Sequence, residues 1–328
     1  MRKAIIAAAA FFLLVPGQAA HASTLADAFD RAATTHDVPR DLLVALAYAE
    51  THLDGHGGKP SASGGYGVMQ IHQGSDTQKQ DDSANVMAGA ALLSSYAGGL
   101  DAEARKDPAR WYAAVARYSG AAQRNTAGIY ADAVFEVLAK GVHARGVDSA
   151  ARAVQPDRSG YEEPAPLAAA TDYPGAIWNP ASSANYAVSN RPTSDPIDRI
   201  IIHVTQGSYA GTISWFQDPA AAVSAHYVIR SSDGQITQMV REKDRAWHAG
   251  NSDYNHRSVG IEHEGYISDA SWFTDQMYRS SAALTRDIAN RYGIPKDRTH
   301  IIGHVEVPGT DHTDPGPYWD WAKYMSYV

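Results

Sequence analysis

The chain has 328 residues, 44% apolar and 20% charged, a composition ordinary for soluble globular proteins and a length that favours two domains over one. A formal net charge of −8 argues against nucleic acid or an anionic membrane as the main partner and leaves a neutral or mixed-charge polymer open. There is no cysteine, so disulfides and thiolate ligands are excluded, and any metal site must be built from carboxylates and some of the 14 histidines.

The chain opens with Arg2 and Lys3, an apolar run over 4–15, a break at Pro16-Gly17 and the small-x-small triplet Ala20-His21-Ala22. This predicts a secretory signal peptide over 1–22, too short to span a bilayer, and a mature exported chain without a membrane span. Residues 23–141 are Ala-rich and read as helices. Leu25, Ala28, Phe29 and Ala32 recur at helical spacing, and Asp41 is placed to cap a second helix with Leu42, Leu43, Ala45, Leu46 and Ala49 on its apolar face. A Gly-rich loop over 55–67 follows, then helical patterns over 84–96, 108–118 and 126–140. Residues 142–171 lose the pattern and read as an extended Ala/Pro-rich linker.

Residues 172–328 change character. The run 200–204 is β-branched, as in a buried strand. Residues 224–230 and 235–240 flank Ser232-Asp233-Gly234 and read as a hairpin. Strands are expected over 258–263 and 299–303, and an amphipathic helix over 274–292 stopping at Gly293 with Pro295 beyond. The expected architecture is multidomain: an all-α N-terminal domain, then an α/β domain with a central mixed sheet flanked by helices.

Zinc in an open site takes about three protein ligands. His203 lies in a strand, His304 follows another, and Asp314 lies ten residues on. Spacing alone is a weak signal, but the surrounding words are specific: Ile201-Ile202-His203-Val204-Thr205, Ser224-Ala225-His226-Tyr227-Val228-Ile229, Ala246-Trp247-His248-Ala249-Gly250, Ser258-Val259-Gly260-Ile261-Glu262, and Ile302-Gly303-His304 through Asp314-Pro315-Gly316-Pro317. In this order they resemble the type 2 N-acetylmuramoyl-L-alanine amidases, whose fold is shared with peptidoglycan recognition proteins. The resemblance implies Zn2+ on His203, His304 and Asp314, a catalytic carboxylate at Glu262, and His312 where catalytic members often carry lysine. It implies hydrolysis of the amide between the muramic acid lactyl group and L-alanine, with zinc making water acidic enough to attack. His226 reads as structural. His248 either lines the substrate groove or is structural, and the tryptophans read mainly as core.

In the first domain, Glu50 ends an apolar helix. Ala49-Glu50-Thr51-His52-Leu53, the loop Gly64-Gly65-Tyr66-Gly67-Val68-Met69-Gln70-Ile71, Asn85-Val86-Met87-Ala88-Gly89-Ala90 and Ala116-Arg117-Tyr118-Ser119-Gly120-Ala121 resemble soluble lytic transglycosylases of the goose-type lysozyme class. Thr51, Val68 and the Ser119-Gly120-Ala121 order depart from that family's usual wording. The resemblance implies a lysozyme-like fold with Glu50 as catalytic acid, or a domain that only grips glycan. The partner expected for the whole chain is peptidoglycan, in the wall or outside the cell. A non-hydrolytic peptidoglycan-binding protein is the competing reading.

Overall fold

A computed structural model describes residues 24–161 and 171–328. The expected signal peptide and the stretch 162–170 of the expected linker lie outside these residues. Among the described residues no helix is long and apolar enough to cross a membrane.

The N-terminal half is helical. α1 (Leu25–His36) starts with a capping box between Thr24 and Asp27. α2 (Arg40–Thr51) is buried on nearly every side and forms the central helix. Its N-cap is Pro39, without a side-chain cap bond. Asp41, expected to cap it, sits inside the first turn, where it suits the helix dipole and pairs with Arg152. The short α3 (Asp76–Gln80) leads into α4 (Asp82–Tyr96); α5 (Ala102–Lys106), α6 (Tyr112–Tyr118) and α7 (Arg124–Lys140) complete the bundle, with α7 packed on α2. The expected linker begins instead with a hairpin of β1 (Val142–Ala144) and β2 (Val147–Ser149). Arg145 and Gly146 both have positive φ, the two-residue turn that matches strand twist, and Val142 and Val147 are buried in the helical core.

The C-terminal half holds a six-stranded mixed sheet. β3 (Ala176–Trp178) is at one edge and the short β4 (Tyr186–Ala187) pairs elsewhere, with β8 (Arg245–Ala246). β5 (Arg199–Val204), β6 (Tyr227–Ile229), β7 (Ile236–Gln238), β9 (Ser258–His263) and β10 (Ile301–Gly303) complete the order β10-β5-β9-β6-β7-β3. The neighbours β10, β5, β9 and β6 run parallel, and β6 turns back antiparallel into β7. Side chains alternate between faces. Ile200, Ile202, Val204, Val259 and Ile261 pack with α10 (Asp275–Tyr292) and α11 (Trp321–Tyr327). Ile201, His203, Ser258, Gly260 and Glu262 therefore occupy the opposite face. α8 (Tyr209–Gln217) and α9 (Ser252–Arg257) complete the fold; like α11, they have no counterpart in the sequence expectations.

The two halves are not separate bodies on a tether. Tyr209, Ala210, Ile213 and Phe216 of α8 belong to the same apolar core as the helical bundle. Thr126 of α7 donates to Gln217 at 2.7 Å and accepts from Asn179 at 3.0 Å. The Gly-rich loop adds a backbone bond from Ala62 to Gln206 at 3.1 Å. His52 stacks on Trp272 with ring centroids 3.6 Å apart, has Tyr48 at 4.5 Å, and lies 2.9 Å from Ser271 Oγ.

Burial pushes the His52 imidazole down to about 4 from 6.5, with Asp269 opposing. The folded chain thus prefers neutral His52. Its contribution is complete above pH 6.5 and is lost as pH falls through about 4. His52→Ala is expected to lower stability by about 1–3 kcal/mol at pH 7.5 in denaturant titrations. The gap to wild type should close as pH falls from 6.5 to 4; a gap independent of pH would show that His52 is not held neutral at this interface.

Candidate active site

His203 is the fifth residue of β5, and its register partner on β9 is Glu262. Neighbouring parallel strands put their side chains about 5 Å apart on the same face. His304 follows β10, whose partner is again β5. The loop beyond folds back so that the Val305 N–H donates to the Asp314 carbonyl at 2.9 Å, and the Val204 N–H donates to Asp314 Oδ2 at 3.3 Å. Three adjacent strand ends and one anchored loop thus bring His203, Glu262, His304 and Asp314 to one cavity.

His203 Nδ1 lies 3.1 Å from His304 Nδ1 and 3.4 Å from Asp314 Oδ2, and His304 Nδ1 lies 3.2 Å from Asp314 Oδ1. All three residues are buried. Zinc with arms of about 2.0–2.1 Å has tetrahedral ligand edges of roughly 3.3 Å. These closest approaches are of that order, and the two imidazoles and the carboxylate, with ligand atoms within 4.8 Å of one another, form a donor set that could hold a metal ion. Burial pushes His203 down to about 4, which keeps it neutral and able to ligate, although Asp314 opposes the shift. Burial alone would raise Asp314, but contacts with His203, His304 and His312 outweigh it and hold the carboxyl well below the usual range.

The orientation of His203 is set from behind. Its Nε2 is 2.9 Å from His248 Nδ1, His248 Nε2 is 3.2 Å from Ser258 Oγ, and Ser258 Oγ donates to the Tyr254 carbonyl. One proton assignment satisfies the chain: His203 donates to His248, His248 to Ser258, and Ser258 to the backbone. The His203 Nδ1 lone pair is then left facing His304 and Asp314, the arrangement by which outer partners orient a metal-ligating imidazole. Gly260 makes it possible, because a Cβ there would lie 2.5 Å from the His248 ring. His226, as expected, is structural: fully buried, it accepts from the Gly260 N–H at 3.0 Å.

Glu262 and His312 flank the triangle in a cavity of about 560 Å³. Burial, and then Asp314, push the Glu262 carboxyl well above its ordinary value, and its buried Oε2 has no hydrogen-bond partner among the described residues. His312 is exposed, stacks on His304 at 4.1 Å, and lies 3.6 Å from Asp314 Oδ1. That contact raises the imidazole toward its charged form.

Glu50 is not part of this cavity. It sits in the last turn of α2 and opens on a second cavity of about 450 Å³. Tyr130 Oη donates to one carboxylate oxygen at 2.6 Å and Ser208 Oγ to the other at 2.8 Å. Burial still raises its pKa against both bonds. Asn85 pins the Gly-rich loop beside it, accepting from the Met69 N–H at 2.8 Å and donating to the Tyr66 carbonyl at 3.0 Å. The sequence reading left His248 open and missed Tyr130 and Ser208. Ser208 shows only as a helix N-cap in sequence, and nothing local ties it to a glutamate 158 residues away.

Residues 193–317 match the family described as N-acetylmuramoyl-L-alanine amidase (Amidase_2). The chain is 44% identical over 176 residues to N-acetylmuramoyl-L-alanine amidase A of Achromobacter lyticus, covering 48% of this chain and 96% of that protein. It is 42% identical over 112 residues to the 1,6-anhydro-N-acetylmuramyl-L-alanine amidase AmpD of Citrobacter freundii, 32% of this chain and 57% of the relative. Among solved structures, a selenomethionine AmpD derivative aligns at 32% identity with a TM-score of 0.40, covering 48% of this chain and 96% of that one. On the Achromobacter match in particular, this chain belongs to the N-acetylmuramoyl-L-alanine amidase family.

Proposed function

We propose that the chain is an exported zinc amidase that hydrolyses the lactyl–L-alanine amide of peptidoglycan. The observation that carries this reading is the convergence of His203, His304 and Asp314 with Glu262, whose buried Oε2 has no hydrogen-bond partner among the described residues, in one cavity of an amidase-family chain. His203, His304 and Asp314 would hold the zinc, which supplies acidified water and polarises the attacked carbonyl. Glu262 accepts the proton of the attacking water, a task suited to a carboxylate whose basicity burial has raised. The same group then delivers that proton to the departing L-alanine nitrogen. His312, at the cavity's exposed edge, donates to the oxygen that becomes anionic. The basic, apolar and small-residue segment over 1–22 supports export to the compartment where the wall lies.

The helical half carries a second proposed activity, a lysozyme-like cleft that cuts glycan. Glu50 is buried, raised in pKa and opens on a cavity, which suits a group that is acid first and base second. As acid it protonates the glycosidic oxygen. As carboxylate it takes the proton of the muramic acid 6-hydroxyl as that oxygen closes on C1.

Digestion of purified peptidoglycan, with products identified by mass spectrometry, tests both. Free stem peptides beginning with L-alanine, abolished by a zinc chelator, are expected from the first site. Anhydromuramic ends that persist with chelator are expected from the second. A zinc-loaded chain that retains wall but yields neither product would establish the binding-protein reading instead. Glu262→Gln should lower turnover about 10²–10⁴-fold while zinc content, measured by mass spectrometry of the metal, stays stoichiometric; undiminished turnover would remove Glu262 from the mechanism. His248→Ala should weaken zinc affinity about 10–100-fold in chelator competition, and unaltered affinity would show that His203 is oriented by other contacts.

A further inference from the structure

Both cavities are walled by α8. Ser208, Gly211 and Ser214 face the Glu50 cavity, Thr212 and Phe216 face the metal-site cavity, and Trp215 lines both. Opposite it, Ser63 of the Gly-rich loop also lines both. The two sites therefore meet along a shared wall made by one residue from each half of the chain. The fused apolar core and the Thr126–Gln217–Asn179 bonds hold that wall in place.

We propose that the two cavities form one binding path for a single glycan strand, with Trp215 as the platform between them. The proposal rests on the amidase reading given above. The scissile amide is joined to a sugar of the strand through only the short lactyl group, so when it lies at His203, His304 and Asp314 the strand itself must pass close by. The neighbouring opening is the Glu50 cavity. Its wall offers Ser119, Gln70 and Ser214 to sugar hydroxyls, and Trp215, half-buried, offers an apolar ring face to the C–H face of a pyranose. The ligand class is thus an aminosugar polymer. The amidase should prefer peptides on polymeric glycan to the same peptide on a lone muramic acid, because only the polymer reaches the second cavity.

The test compares kcat/KM of the metal-loaded mature chain on solubilised uncrosslinked glycan carrying stem peptides and on a single muramoyl-peptide. In wild type the ratio should favour the polymer. Trp215→Ala, which removes the platform, and Ser214→Trp, which fills the Glu50 cavity, should each lower that ratio about tenfold, chiefly through KM on the polymer. A ratio within about twofold of wild type in both variants would overturn the proposal. A fall in Trp215→Ala alone would also overturn it, since the strand would then not enter the Glu50 cavity. Should either variant misfold, wild type decides: peptide-free glycan oligomers should compete with the muramoyl-peptide, and absence of competition overturns the proposal. Wild type that cleaves neither substrate would instead sink the amidase reading beneath it.

Discussion

His203 and His304 bring their Nδ1 atoms to 3.1 Å of each other with the Asp314 carboxylate beside both, in a buried place. Lone pairs crowded in this way repel unless a positive charge, a proton or a metal ion, lies among them. The bonds behind the site decide where the His203 proton lies. The His203 Nε2 proton is committed to His248, and the His248 proton to Ser258. A neutral His203 then has no proton left for Nδ1. The triangle is a donor set that could hold a cation, and its orientation is imposed by the sheet.

That imposition comes from strand parity. In β5 the even-numbered residues from Ile200 to Val204 fill the core under α10, so the odd positions, including His203, must face the other way. In β9 the core takes Val259 and Ile261, which leaves Ser258, Gly260 and Glu262 on the site face. A slip of one residue in either strand would turn the His203–Glu262 face toward α10 and the apolar set toward the cavity. The apolar residues thus hold the site by holding the register. Gly260 belongs to the same logic: the His248 ring occupies the space that a side chain there would need.

Much of this was legible in the chain itself. The β-branched run at 200–204, the amphipathic period of 274–292 and the stop at Gly293 are local signals, and the elements formed where they pointed. The words around His203, Glu262, His304 and Asp314 were legible because they stand in the order of the amidase family that residues 193–317 match. What escaped was non-local. α8 is flanked by polar loops and has almost uniform burial along its apolar residues, so periodicity does not announce it, and its partners lie in the other half of the chain. The hairpin at 142–149 was hidden in a patternless stretch because Arg145-Gly146 is a less familiar turn pair than Asn-Gly. The signs of a tether at 142–171 said nothing about a core shared between the bodies it joins.

The shared core gives Glu50 its setting. In a free helical bundle the Ser208 hydroxyl would be missing, and one carboxylate oxygen would lose its donor. Both Tyr130 and Ser208 donate, and both therefore favour the ionised carboxyl, while burial favours the neutral one. Burial wins, but against a counterweight that the amidase half supplies from the N-cap of α8. The proton affinity of Glu50 is in this way set jointly by the two halves. The helix that sets it also walls the cavity of His203, His304 and Asp314 through Thr212, Trp215 and Phe216. A displacement of α8 would change the acidity of Glu50 and the shape of the other cavity together, so the two cavities are mechanically one unit.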